Sequence, residues 1–162
     1  MIDAPFDRFT DRIRAEWTDY NGHMNVAYYF LIFDNATDAF YDWLGIGRAY
    51  KDSSGFSTFT LEGHITYDRE LLDGDPVRVT SRLLDFDGKR LHYFHEMYHA
   101  EKGYLASTNE LLAIHVDMGV RRSAPMPEPV LDRLLAVKEA HAALPLPPQV
   151  GRRIGIASKR PE

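Results

Sequence analysis

The chain has 162 residues, 44% apolar and 27% charged, which suits one globular domain with a core large enough to hold without staples. It contains no cysteine, which excludes disulfides, thiolate metal sites and cysteine nucleophiles and makes a reducing cytoplasm the expected compartment. A formal charge of −5 argues against a nucleic-acid partner, and with no basic-plus-apolar leader and no apolar run near ~18 residues neither secretion nor a membrane span is expected.

Residues 11–18 alternate polar and apolar and are expected to form a first strand. A loop follows, Asp19-Tyr20-Asn21-Gly22-His23-Met24, and then Asn25, a good helix N-cap because its side chain can accept a free amide of the first turn. From there Val26, Tyr29, Phe30, Phe33, Ala36, Phe40 and Leu44 recur at helical spacing, Asp34, Asp38 and Asp42 share another face, and Gly45 and Gly47 mark the stop. Strands are expected over 55–67, 77–86, 89–100 and 104–116, separated by turn signals at Asp73-Gly74-Asp75-Pro76, Asp87-Gly88 and Lys102-Gly103. In the first of these, Gly63 signals a bulge or a close backbone approach, and strand alternation puts Glu62 and His64 on one face with Thr60 and Thr66. A final short helix is expected over roughly 129–143, on Val130, Leu134, Leu135 and Val137, and the segment 146–162 reads as an extended tail. Hairpin-linked strands make an antiparallel sheet, and the long amphipathic helix has only that sheet to bury its stripe against. The fold class is therefore α+β: a curved antiparallel sheet of about five strands wrapped around one long central helix.

The loop before that helix carries the chemistry. It sets a carboxylate, Asp19, beside the positive end of a helix, where an oxyanion can be held. The amides at the helix start, at Val26 and Ala27, have no intrahelical partners and are candidate oxyanion donors. Gly22 lets the backbone bend before the helix. His23 has three open roles: orienting substrate, donating to a carbonyl, or bonding Asp19. The bland alternative for Asp19 is a turn cap or an arginine partner, and for Asn25 a cap with no part in the site. His92, His95 and His99 invite a metal reading, but 95 and 99 would stand about 13 Å apart along a strand, too far for one ion, so no metal is expected. Basic pairs fall at Arg121-Arg122, Arg152-Arg153 and Lys159-Arg160.

The block Trp17-Thr-Asp-Tyr-Asn-Gly-His-Met-Asn25, followed by Ala27-Tyr28-Tyr29, resembles the hotdog-fold acyl-CoA thioesterases of the 4-hydroxybenzoyl-CoA thioesterase type. The pieces Lys89-Arg-Leu-His92, Phe94-His-Glu-Met97, Leu112-Ala-Ile-His-Val-Asp117, His141-Ala-Ala-Leu-Pro145 and Gly151-Arg-Arg-Ile154 are similar to one subgroup, the betainyl-CoA thioesterases found fused to, or encoded beside, L-carnitine dehydrogenase. The likeness covers roughly residues 11–154, while the dehydrogenase half, with its Gly-x-Gly-x-x-Gly after a strand, is not found.

The resemblance implies one hotdog thioesterase domain over 1–162, with a core of about 11–145. It implies a homodimer, or a tetramer formed by two such dimers, with two chains paired edge to edge and active sites at the dimer interface. Asp19 stands at the family's catalytic aspartate, as nucleophile or as general base for water; His23 and Asn25 complete the candidate catalytic set. The implied substrate is a short polar acyl-CoA, foremost betainyl-CoA in carnitine catabolism, with coenzyme A as part of the substrate and no separate cofactor. Its trimethylammonium group would be held by the rings of Trp17, Tyr20, Tyr28 and Tyr29 with the charge of Glu62 and with His64 nearby; Phe33 is expected in the core. The CoA phosphates would seek Arg121, Arg122 and Arg90. The alternatives are a hotdog enoyl-CoA hydratase, whose Asp-x-Asn-Pro-x-His pattern this chain departs from at Gly22 and His23, and a non-catalytic acyl or small-molecule binding module.

Overall fold

The computed structural model describes residues 2–156. In chain order these form β1 (Phe6–Arg12), a 3-10 turn (Ala15–Trp17), α1 (Val26–Leu44), α2 (Arg48–Ser54), β2 (Phe56–Tyr67), β3 (Pro76–Phe86), β4 (Arg90–His99), β5 (Leu105–Asp117), β6 (Arg122–Ser123) and α3 (Glu128–Ala142). The antiparallel sheet runs β1-β3-β4-β5-β2, and β6 folds back on β5. No helix among the described residues is long and apolar enough to cross a membrane.

Helix α1 starts and stops where its residue types dictate. Asn25 accepts the Ala27 amide, and Gly45, at φ 84°, closes the last turn. Its buried stripe is Tyr29, Ile32, Phe33, Ala36, Phe40 and Leu44. The N-terminal half packs on Val77, Val79, Met97 and Ala106, and the C-terminal half on Phe6, Leu83, Leu91, Tyr93 and Leu111. Phe33 and Phe40 are fully buried, each contributing on the order of 1.5–3 kcal/mol. Two residues of the expected stripe leave the core: Val26 is 58% and Phe30 41% exposed. They lie where the sheet ends, with the Phe30 ring 3.3 Å from the space a Cβ on Gly63 would fill. Gly63 is thus a close approach, and the bulge on β2 falls beside it at Leu61.

The first strand begins earlier than its alternation suggests, at Phe6 and not at residue 11, and ends at Arg12. Arg12 pairs with Pro76, the first residue of β3, and Ile13 still exchanges backbone bonds with Asp75 and Gly74 of the preceding turn before the chain enters the 3-10 segment. The two short elements α2 and β6 carry no buried residue, which is why no apolar pattern announces them. Helix α3 buries Val130, Leu134, Val137 and His141, while the expected Leu135 is half exposed. His141 accepts the Leu83 amide on Nδ1 at 2.9 Å, at the irregular step of the β3–β4 ladder, and so carries its proton on Nε2, which donates to the Asp3 carbonyl at 2.9 Å. Burial lowers its pKa and favours this neutral linker.

A second neutral histidine lies under α1. Thr37 donates to the Phe33 carbonyl at 2.9 Å, so its oxygen accepts His95 Nε2–H at 2.9 Å, and His95 Nδ1 accepts the Ser81 hydroxyl at 2.7 Å. Complete burial pushes the His95 pKa down to about 3. The unfolded chain takes the proton near pH ~6.5, so this group's stability is full above that value and is lost as pH falls toward its folded pKa, at about 1.4 kcal/mol per unit. Urea unfolding at pH 7 and pH 5 should show wild type losing about 2 kcal/mol more than His95→Gln between the two pH values. Equal pH dependence in both proteins would mean that His95 takes its proton as readily in the fold as in the unfolded chain.

Candidate active site

The loop bearing Asp19 is a closed hairpin. Thr18 and Met24 form an antiparallel bridge, the Asp19 amide donates to the His23 carbonyl at 2.9 Å, and the Gly22 amide donates to the Asp19 carbonyl at 3.0 Å. Gly22 sits at φ 79°, which a side chain there would strain. Asp19 Oδ1 accepts the Asn21 amide at 2.8 Å. Its other oxygen has no partner among the described residues, so one oxygen is pinned and one is open.

At the helix start the two expected oxyanion donors differ. Ala27 N–H is taken by Asn25 Oδ1 at 3.0 Å, and Tyr28 N–H by the Asn25 carbonyl at 3.0 Å. The cap that builds the helix thereby removes Ala27 as a free donor. Val26 N–H has no partner among the described residues and carries the partial positive charge of the helix terminus. Asn25 is itself tied to the Trp17 carbonyl through its amide at 2.8 Å.

A platform from the β2–β3 connection supports this loop. Met24 N–H donates to the Leu71 carbonyl at 2.8 Å, and His23 bridges Leu72. Leu72 N–H in turn donates to Asp75 Oδ2 at 2.9 Å, and Asp75 Oδ1 lies 3.2 Å from Nε2 of the buried His99. Nδ1 of His99 accepts the Glu101 and Lys102 amides, which puts the imidazole proton on Nε2, facing the carboxylate. His23 pairs with Glu70, Nε2 to Oε2 at 3.1 Å. Of its three open roles, the one contact seen is therefore to a residue outside the motif. Both partners are substantially exposed, so this pair contributes little to stability. Glu70, Asp75 and His99 were not legible as neighbours of the loop, because only the strand pairing brings them there.

The aromatic crowd divides. Trp17 is 5% exposed, stacks on Tyr28 and carries the Arg14 guanidinium 4.5 Å from its ring centre. Tyr29 is 4% exposed and meets the Tyr67 ring edge-on, and burial pushes its hydroxyl pKa up to about 12. Both pack as core residues, because the helix stripe and the 3-10 turn need their area. Tyr20 is 97% exposed and Tyr28 half-buried.

Glu62 and His64 lie on the outer face of the sheet. The bulge at Leu61 sets Glu62 opposite Leu112 and His64 opposite Glu110, but leaves Thr60 opposite Ala113 on the inner face, away from the expected row. There they line a cavity of about 710 Å³ between the sheet and residues 151–154 of the tail, together with Arg90, His92, Glu110, Arg152 and Arg153. Glu110 is held on both oxygens, by His92 Nε2 at 2.7 Å and by the Gly151 amide at 2.7 Å. Arg90 is bound through two nitrogens to Asp87, at 2.8 and 2.6 Å. Arg121 and Arg122 stand at the β5–β6 turn, outside the lining of this cavity, and Lys159-Arg160 lies outside the described residues. The three strand histidines have separate partners: His92 with Glu110, His95 with Ser81 and Thr37, His99 with Asp75.

Comparison with known proteins gives a consistent set of likenesses. The family model described as thioesterase-like superfamily matches residues 13–134. A Pseudomonas aeruginosa protein named betainyl-CoA thioesterase is 43% identical over 148 residues, which cover 91% of this chain and 93% of that protein. A Rhizobium meliloti protein named L-carnitine dehydrogenase/betainyl-CoA thioesterase is 35% identical over 94% of this chain, which spans only 30% of that longer protein. Among solved structures, a Staphylococcus aureus protein in complex with CoA superposes with a TM-score of 0.88 at 34% identity, covering 97% of this chain and 98% of the other. A putative thioesterase from Pseudomonas putida gives 0.82 at 34% identity, covering 95% and 98%.

Proposed function

This chain belongs to the thioesterase-like superfamily, and from that premise we propose that the thioester it cleaves is betainyl-CoA, giving glycine betaine and free CoA. It is an acyl-CoA thioesterase with the hotdog fold. The observation that carries the choice of acyl group is the 43% identity to the Pseudomonas aeruginosa betainyl-CoA thioesterase across nearly the full length of both chains.

In this reading Val26 N–H receives the thioester oxygen as it becomes an oxyanion, and Asp19 acts on the carbonyl carbon. Its open oxygen either adds directly, forming a mixed anhydride that water then cleaves, or takes the proton of the water that adds. Either way the acyl–sulfur bond breaks, CoA leaves as the thiol and the acyl group leaves as carboxylate. The acids Asp19 and Glu70 and the open ring of Tyr20 are the groups near the loop suited to a quaternary ammonium.

The reading includes a cytoplasmic homodimer paired through β2. That strand is a free edge of 12 residues, and Phe59, Leu61 and Tyr67 on it, with Phe30 and Leu31 on α1, are 41–54% exposed. The Tyr67 hydroxyl reaches the Val26 carbonyl at 3.4 Å, so the helix terminus sits at this edge. Antiparallel pairing of two β2 strands sets the Asp19 loop of one protomer against the other protomer's edge.

A free-thiol assay over betainyl-CoA, acetyl-CoA and a set of short and aromatic acyl-CoAs tests the reaction. Release is expected to be fastest from betainyl-CoA. If none of them yields thiol, hydrolysis is not the function.

A further inference from the structure

We propose that the C-terminal tail builds a phosphate-binding roof over the outer-face cavity, with Arg152 and Arg153 holding the phosphorylated nucleotide end of CoA. The proposal deepens the acyl-CoA reading above and adds two residues to it.

Charge accounting around the cavity singles out these two side chains. Of its four acids, Asp85 is bound to Lys138 at 2.6 Å, Asp87 to Arg90 at 2.6 Å, and Glu110 to His92 and Gly151, which leaves Glu62 on the opposite wall as the one open carboxylate against two open guanidiniums among the described residues. Arg90 is thereby neutralised on the spot. Arg152 and Arg153 line the same space and have no carboxylate partner among the described residues. Two unpaired guanidiniums facing a shared space are the donor set that phosphate oxygens take, through paired, charge-assisted hydrogen bonds.

The tail is fastened where it must be to present them. The Pro145 carbonyl accepts from Arg82, a residue only 8% exposed, at 2.7 Å, and Glu96 lies 3.5 Å from the same guanidinium. The Gly151 amide, immediately before the two arginines, is clasped by Glu110. Gly151 takes a left-handed φ of 71°, a bend that favours glycine at the clasp. A cavity of about 710 Å³ is suited to a nucleotide, and Glu62 and His64 at its other wall remain open to hydrogen-bond a base or ribose.

The double variant Arg152→Ala/Arg153→Ala removes only exposed side chains that make no hydrogen bond among the described residues, so folding should be preserved. KM for betainyl-CoA is expected to rise at least about 10-fold, with kcat within about twofold, because the lost contacts lie far from the reacting carbonyl. With the betainyl thioester of pantetheine, which lacks the nucleotide, wild type and variant should be indistinguishable. The charge-matched variant Arg48→Ala/Lys51→Ala on α2 should behave as wild type. An unchanged KM for the CoA thioester, or equal losses on CoA and pantetheine thioesters, overturns the proposal. Calorimetric titration with adenosine 3′,5′-bisphosphate separates it from the choice of acyl group. Binding that depends on Arg152 and Arg153 supports the roof even if betainyl-CoA is not cleaved, and equal binding by wild type and variant overturns it.

Discussion

Asp19→Asn should leave a folded protein that still binds acyl-CoA and turns it over roughly 10²–10⁴-fold more slowly, the usual worth of a positioned acid–base group. The substitution keeps the local structure. Asn can accept the Asn21 amide as Asp19 Oδ1 does, and the loop closes through main-chain bonds from Gly22 and to His23 that no side chain enters. What it removes is the charge on the second oxygen, the one without a partner among the described residues. Neutral Asn neither adds to a thioester carbonyl nor takes a proton from water. KM should move little, because the proposed CoA contacts belong to other residues. The measurement is steady-state thiol release by both proteins, with circular dichroism to confirm the fold; a variant within about threefold of wild-type kcat would remove Asp19 from the chemistry.

A second large effect is expected at the free edge. Phe59→Lys combined with Leu61→Lys places like charges along β2, where residues 42% and 54% exposed meet their symmetry mates in the proposed dimer. Sedimentation should show a monomer, and hydrolysis should fall at least about 100-fold, because loss of alignment of reacting groups has effects of that order. The substitutions lie on exposed positions, so the monomer should keep its helical and strand content. A variant that remains dimeric and active would show that the copies pair elsewhere.

Much of the fold was readable because it rests on local rules. Helix α1 carries its own start signal in Asn25, its own stop in Gly45 and a stripe of period near 3.6 between them. The hairpins β3–β4 and β4–β5 carry Asp87-Gly88 and Lys102-Gly103. What was not readable depends on pairing across the chain. β1 reaches back to Phe6 because residues 6–12 pair with β3, and Thr60 parts from Glu62 because one residue bulges. Neither is a local property.

The site divides the same way. Asp19, Gly22 and Asn25 declare themselves within seven residues. Glu70, Asp75 and His99 enter only through the bridge at His23 and Leu72, and Arg152 and Arg153 only through the clasp between Gly151 and Glu110. Trp17 and Tyr29 looked like cage residues because rings cluster in the sequence near the motif. Burial of both below 6% shows that the cluster is in large part the core's own packing.

The most direct test of a betaine-specific hydrolase compares kcat/KM for betainyl-CoA with that for 3,3-dimethylbutyryl-CoA, which has the same shape with carbon in place of the charged nitrogen. A site that recognises the cation through aromatic faces and carboxylates should favour betainyl-CoA at least about 10-fold, equivalent to about 1.4 kcal/mol or more of cation recognition. Equal values for the two substrates would contradict it.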